Sequence, residues 1–275
     1  MQHTFRCPLC GSPLTMEERR FSCPKGHMFD RASSGYVNLF LNKGPSAKRH
    51  GDDKRMIRAR TEFLATGAYK SLSDQLVSLS APLLNDGDVF LDAGCGEGHY
   101  IALLAKQLQA EQKSCTLLGI DLSKEALTAA AKRKLDITLA VASVFHLPVG
   151  DQSVSLLWNV FAPMADAEYA RVLKPDGVLI RVFPLEEHLM GLKELLYDEV
   201  YQNKPIEPEI PGLQLLNTHY IRETLQLTSR EEIDALFKMT PYYYKTSAAA
   251  QEKLSNLDEL ITPIAFGISV YQKRG

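Results

Sequence analysis

The chain has 275 residues, 45% of them hydrophobic and 23% charged, with a formal net charge of −2. That suffices for one large core with a small appendage, and the near-neutral balance excludes a chain that holds nucleic acid or membrane through bulk charge. The average conceals an asymmetry: residues 1–60 hold twelve Lys and Arg against five Asp and Glu, a net +7, which leaves −9 for the rest, so an acidic body carries a basic head.

The start lacks a basic segment followed by an apolar run, and no stretch approaches the roughly 20 apolar residues that span a bilayer. The expectation is a cytoplasmic protein with no membrane partner. Three of the five cysteines fall in the first 23 residues, a distribution that suits metal ligation in a reducing compartment better than disulfides. Residues 1–36 contain too little apolar material to fold by burial alone. Within them, Cys7-x2-Cys10-x12-Cys23-x3-His27 offers the four donors that tetrahedral Zn2+ takes, and with no fifth ligand in view the site is closed and structural. The competing explanation, unrelated buried cysteines, leaves the head with nothing to hold it together.

Residues 37–60 read as a basic linker and the start of a first helix, carrying Lys43, Lys48, Arg49, Lys54, Arg55, Arg58 and Arg60. Such a run is usually a solvated face; beside a zinc head on an otherwise acidic protein it also suits RNA phosphates. The first helix runs to Gly67 and a second spans 71–84. Residues 61–275 then alternate strands (88–94, 115–120, 137–141, 153–160, 177–183) with helices after Gly98, at 124–134 and at 165–172, which predicts an α/β fold with a parallel sheet covered on both faces. A long helix is expected at 187–201, with final strands near 213–227 and 264–271.

The strand "VFLDAGCGEGHY" (89–100) ends in Asp92 and runs into Gly94, Gly96 and Gly98, which let backbone pass close under a ligand before the next helix. The following strand ends in Asp121, an acid suitably placed for ribose hydroxyls. Dinucleotides and S-adenosylmethionine both use this arrangement, and a tight turn without a ligand also would. "LDAGCGEG" resembles the first motif of class I methyltransferases. "LLWNVFAP" (156–163) puts Asn159, Phe161 and Pro163 at a strand end facing the same crevice. It resembles the Asn/Asp-Pro-Pro-aromatic motif of nitrogen methyltransferases, and an ordinary strand-to-loop junction explains it equally. Asn159 is the candidate for orienting a target base. Tyr69 is an aromatic at a helix junction that could cover the cofactor. Among the histidines, His99, His146 and His219 read as structural, while His188 gains weight from lying just after the fifth strand. The run "PYYYK" (241–245) suits either base stacking or ordinary packing.

In order along the chain, "FRCPLC", "CPKGHMFD", "GYVNL", "LDAGCGEGHY", "DLSK", "VAS", "FAP", "VLKPDG", "HLMGLKE" and "MTPYYYK" resemble the bacterial 23S rRNA (guanine-N1)-methyltransferases with an N-terminal zinc-binding domain. The resemblance covers nearly the whole chain. It implies a class I, Rossmann-like, mostly parallel seven-stranded sheet; a homodimer; and transfer of a methyl group from S-adenosylmethionine to N1 of a guanine in one rRNA hairpin. It also implies zinc at Cys7, Cys10, Cys23 and His27. By motif, Tyr69, Gly96, Glu97 and His188 match the family's cofactor contacts. The expected division is 1–36 for RNA recognition, 37–60 as linker and 61–275 for methyl transfer, with the head dispensable for cofactor binding. The rivals are a small-molecule methyltransferase and a non-enzymatic RNA-binding protein.

Overall fold

The structure, a computed structural model, describes residues 5–41, 51–204 and 209–274. Lys43, Lys48 and Arg49 of the basic run lie outside the described residues. Three short strands, β1 (Thr15–Met16), β2 (Arg20–Ser22) and β3 (Met28–Asp30), make the antiparallel sheet of the head. Then come β4 (Val37–Asn38), helices α1 (Lys54–Ala65) and α2 (Lys70–Ser80), β5 (Val89–Ala93), α3 (His99–Ala110), β6 (Thr116–Asp121), α4 (Lys124–Ala131) and β7 (Thr138–Val141). The chain continues through β8 (Val154–Val160), α5 (Asp166–Val172), β9 (Leu173–Pro184), α6 (Met190–Leu196), β10 (Leu213–Leu227), α7 (Arg230–Met239), α8 (Ala248–Ser255) and β11 (Leu260–Lys273).

The main sheet has the order β10-β11-β9-β8-β5-β6-β7-β4, with β4 to β9 parallel and β10 and β11 antiparallel. The α/β expectation holds, with one strand more than the seven expected. The eighth is β4, whose Val37 and Asn38 pair with Ala140 and Val141 of β7. Two residues are too short for a periodicity signal, so only the edge of β7 makes them a strand. Strand order reverses at β5, and in open α/β sheets a ligand crevice opens at the carboxyl ends of strands flanking such a point.

Two helices are shorter than their apolar periodicity suggests. The second stops at Ser80 and continues as a 3-10 turn, Ala81–Leu83, where Pro82 has no N–H for the helical ladder. The helix expected at 187–201 is α6 alone: Leu189 precedes it with φ +58° and Tyr197 ends it in extended backbone. Asp53 caps α1, its Oδ1 accepting from the Arg55 and Met56 N–H groups at 2.8 and 2.9 Å.

The two faces of the sheet are covered differently. On one, Phe63, Leu72, Leu76, Leu104, Leu127, Leu192 and Leu236 from α1, α2, α3, α4, α6 and α7 join Phe90, Leu117, Leu156, Trp158, Ile180 and Phe266 of the strands in one buried cluster. On the other, Leu91, Leu118, Ala140, Leu157 and Leu179 share a cluster with Phe5, Leu14 and Phe21 of the head and with Tyr169 and Val172 of α5. Among the described residues α5 is the one helix in that second cluster. The head therefore occupies a place that helices hold on the opposite face. The Arg6 N–H donates to Pro148 O at 2.7 Å across the same junction.

Candidate active site and metal centre

Two tight turns bring the metal ligands together. In "CPLCG", Gly11 at φ +71° lets its N–H return to Cys7 O at 2.8 Å; in "CPKGH", Gly26 at φ +81° returns to Cys23 O at 2.9 Å. The donor atoms of Cys7, Cys10, Cys23 and His27 all lie within 4.8 Å of one another. With Zn–S near 2.3 Å and Zn–N near 2.05 Å, a tetrahedron has S···S edges of about 3.8 Å and S···N edges of about 3.6 Å. The chain shows Cys10 Sγ to Cys23 Sγ at 3.7 Å, Cys7 Sγ to His27 Nδ1 at 3.5 Å and Cys23 Sγ to His27 Nδ1 at 3.4 Å. The set fits one zinc ion, with Nδ1 as the imidazole donor. Hydrogen bonding from Ser12 holds the Cys10 thiol down to about 6, toward the thiolate form a metal requires, while burial pushes the Cys7 thiol up.

The glycine loop sits at the C-terminal end of β5. Gly94 and Cys95 N–H groups both donate to Ile120 O at 2.9 Å, and the Gly96 N–H donates to Asp121 Oδ2 at 3.0 Å. Asp121 Oδ1 accepts from the Ser123 N–H at 2.8 Å, so this one carboxylate ties the loop to the start of α4. The three glycines have φ of +95°, +55° and +78°, but their surroundings differ. A side chain on Gly94 would meet Ala162 Cβ at 2.6 Å and one on Gly98 would meet Ala130 Cβ at 2.9 Å, whereas Gly96 faces only Arg60 Nη1 at 3.6 Å. Two glycines thus serve close packing, and the middle one lines the open crevice.

Asp92 lies under the loop, 2% exposed, with Oδ1 lacking a hydrogen-bond partner. Burial, reinforced by the charge of Asp121, pushes its carboxyl up to about 8. A buried carboxyl oxygen without a donor is what a polar ligand at this loop would satisfy. Glu97, also 2% exposed, forms a salt bridge with Arg133, whose Nε donates to Glu97 O at 2.9 Å. Arg133 and Arg60 were not singled out for this site by sequence. Arg60 belongs to the basic run, yet it pairs inward with Asp52 at 2.6 Å.

Tyr69, Phe266 and His188 pack together: Phe266 is 4.9 Å from the Tyr69 ring and 4.7 Å from the His188 ring. His188 Nδ1 accepts from the Ala265 N–H at 3.2 Å, so the ring's proton resides on Nε2. Burial, and secondarily the Lys193 ammonium, push His188 down to about 3. The folded chain therefore refuses a proton that the unfolded chain accepts below pH 6.5, and the stability His188 contributes is present above that pH and lost as pH falls toward 3. At pH 5 the loss amounts to about 2 kcal/mol. Thermal melts between pH 7.5 and 5 should fall less steeply for His188→Asn than for the wild type; parallel curves would refute the assignment. His99 is structural as expected, with Nε2 3.3 Å from Ser73 Oγ.

Asn159 is 1% exposed, and its Nδ2 donates inward to Pro163 O at 3.1 Å and to Tyr169 Oη at 2.8 Å. The Nδ2 donors are directed into the chain, where they hold the 160–163 loop. That loop presents Phe161, 43% exposed, on left-handed backbone at φ +55° with its ring 5.6 Å from Phe266. Non-glycine residues hold such backbone where neighbours enforce it, often at functional sites.

Residues 5–42 match the family model described as "RlmA, N-terminal", a zinc ribbon, and residues 90–177 match "Methyltransferase domain". A Micromonospora griseorubida protein named for 23S rRNA (guanine-N1) methylation is 34% identical over 94% of this chain and 94% of its own length. This chain belongs to the 23S rRNA (guanine-N1)-methyltransferase family. Its relatives include the 23S rRNA (guanine(748)-N(1))-methyltransferase of Streptomyces fradiae, 32% identical over 81% of this chain and 79% of the relative. A Bacillus subtilis (strain 168) protein named for the same class of activity is 30% identical over 93% and 91%. As a family member the chain is an S-adenosylmethionine-dependent rRNA methyltransferase that carries one structural zinc, and none of its described helices is long and apolar enough to cross a membrane.

Proposed function

We propose that the enzyme methylates N1 of one guanine in a hairpin of 23S rRNA, and that the zinc head helps to select that RNA. The observation that supports the reading is the close approach of the glycine loop, over an unpartnered buried carboxyl, to the loop that carries the exposed Phe161, with Ala162 packed against Gly94. S-adenosylmethionine supplies an electrophilic sulfonium methyl when bound. Gly94, Gly96 and Gly98 shape the cradle, Asp121 offers its remaining lone pairs to hydroxyls, and the Asp92 carboxyl accepts a donor from the ligand. Tyr69, Glu97 and His188 wall the same crevice, with the neutral His188 presenting its Nε2–H as a donor. Asn159 holds the loop on which Phe161 can stack a flipped base.

N1 lies on the Watson–Crick edge and carries a proton in neutral guanine, so the target must be unpaired, which favours a hairpin loop over a duplex. Alignment of that base is the main contribution asked of the protein. The homodimer belongs to the same reading and rests on the family likeness alone. Methyl-labelled cofactor incubated with unmodified 23S rRNA should place label on RNA and create a reverse-transcription stop at one guanine. Label confined to a small molecule, or absent altogether, would overturn the proposal in favour of one of its two rivals.

A further inference from the structure

The sequence left "PYYYK" undecided between stacking and packing, and the structure divides its tyrosines among three environments. Pro241–Tyr244 is a 3-10 turn after α7. Tyr242 turns inward, 6.2 Å from the Tyr197 ring and with Lys193 Nζ 5.8 Å from its centroid. Tyr243 is half-buried, its ring 5.5 Å from Phe237, and the Arg55 guanidinium stands 5.8 Å from its centroid and donates to its hydroxyl at 3.4 Å. Tyr244 faces solvent, 56% exposed, edge-on to Tyr243 at 5.2 Å.

Tyr244 is exposed but oriented. Its ring packs edge-on against Tyr243, which the Arg55 guanidinium contacts in turn, so it is placed beside the first turn of α1. Lys54, Arg55 and Lys245 stand exposed beside it, with Arg55 70% exposed. A fixed aromatic face bordered by cations is what binds an unpaired nucleotide, the ring taking the base and the cations its phosphates. The patch also adjoins the methyl-transfer crevice. Arg60, five residues and about 7.5 Å along α1 from Arg55, lies against Gly96 and donates to Met239 O at 3.4 Å, just before the turn.

We propose that Tyr244, with Arg55, is a second nucleotide-binding platform that stacks an unpaired base of the substrate RNA outside the methyl-transfer crevice. This rests on the rRNA reading above and adds a contact to it. The platform acts on RNA capture and not on chemistry.

The test is steady-state methylation of unmodified, in vitro transcribed 23S rRNA. Tyr244→Ala should raise the KM for RNA about 10- to 30-fold while kcat and the KM for the cofactor stay within twofold. Tyr244→Phe keeps the ring and its edge-on contact with Tyr243, loses only the hydroxyl near Asp53, the cap of α1, and should stay near the wild type. Arg55→Ala should weaken RNA binding and lower its salt slope by about one. An unchanged KM for Tyr244→Ala overturns the platform. So does an equal loss in Tyr244→Phe, which would assign the effect to the helix cap, and so does a parallel loss of cofactor binding or melting temperature, which would mean misfolding. Wild-type enzyme that fails to label rRNA overturns the functional reading and the platform together, whereas wild-type labelling with unaltered variants overturns the platform alone.

Discussion

Cys23→Ser is expected to lose zinc and to destabilise the whole enzyme, not the head alone. Cys7 and Cys23 are buried in the cluster that joins Phe5, Leu14 and Phe21 to the sheet leucines Leu91, Leu118, Leu157 and Leu179. Fully burying such side chains contributes about 2 kcal/mol each, so an unfolded head would forfeit on the order of 10 kcal/mol, comparable to the net stability of a typical domain. Serine in place of one thiolate loses part of this, since zinc binding and folding of the head are the same event. A melting temperature lower by about 10 °C, with metal content well below one zinc per chain and weaker S-adenosylhomocysteine binding at 37 °C, is the expected result. Cys115→Ser, on a partly exposed cysteine away from the head, should change none of the three. Metal loss with unchanged melting and cofactor affinity would show that the head is an independent module, as sequence alone suggests.

Gly94→Ala should reduce cofactor affinity on the order of 100-fold. The new methyl would sit 2.6 Å from Ala162 Cβ, and φ +95° is unfavourable for any L side chain. Overpacking costs about 1–3 kcal/mol and left-handed backbone about 1–2 kcal/mol, and 2.7 kcal/mol corresponds to about 100-fold. Relief requires moving either the glycine loop or the loop that carries Phe161, so the damage falls on the proposed cofactor and base sites together. Calorimetric titration with S-adenosylhomocysteine checks it. Gly96→Ala, with only the flexible Arg60 end nearby, should lower the melting temperature of the cofactor-free enzyme less than Gly94→Ala; equal losses would refute the packing argument.

Zinc ligation was legible because four donors within 21 residues can hardly serve another purpose in a head so poor in apolar residues. The glycine loop was legible because strand, glycines and helix follow one another without a gap, and β5 to β9 announced themselves by local periodicity, whereas the short strands of the head, β4, α7 and α8 did not. For Asn159 nothing local signals that Tyr169, ten residues on, draws the Nδ2 group inward. Nothing local signals Arg133 pairing with Glu97, or Arg60 turning from the basic run to lie against Gly96.

The amino-acid sequence by itself determined the ligand set, the cradle and the α/β alternation, since these depend on residues close together in the chain. Only the tertiary structure decided that the head covers a face of the sheet, that β4 extends it to eight strands, and that three consecutive tyrosines divide between core and solvent. Those outcomes depend on which surface a segment meets across dozens of residues. Burial is shared between partners, so neither partner's sequence records it alone.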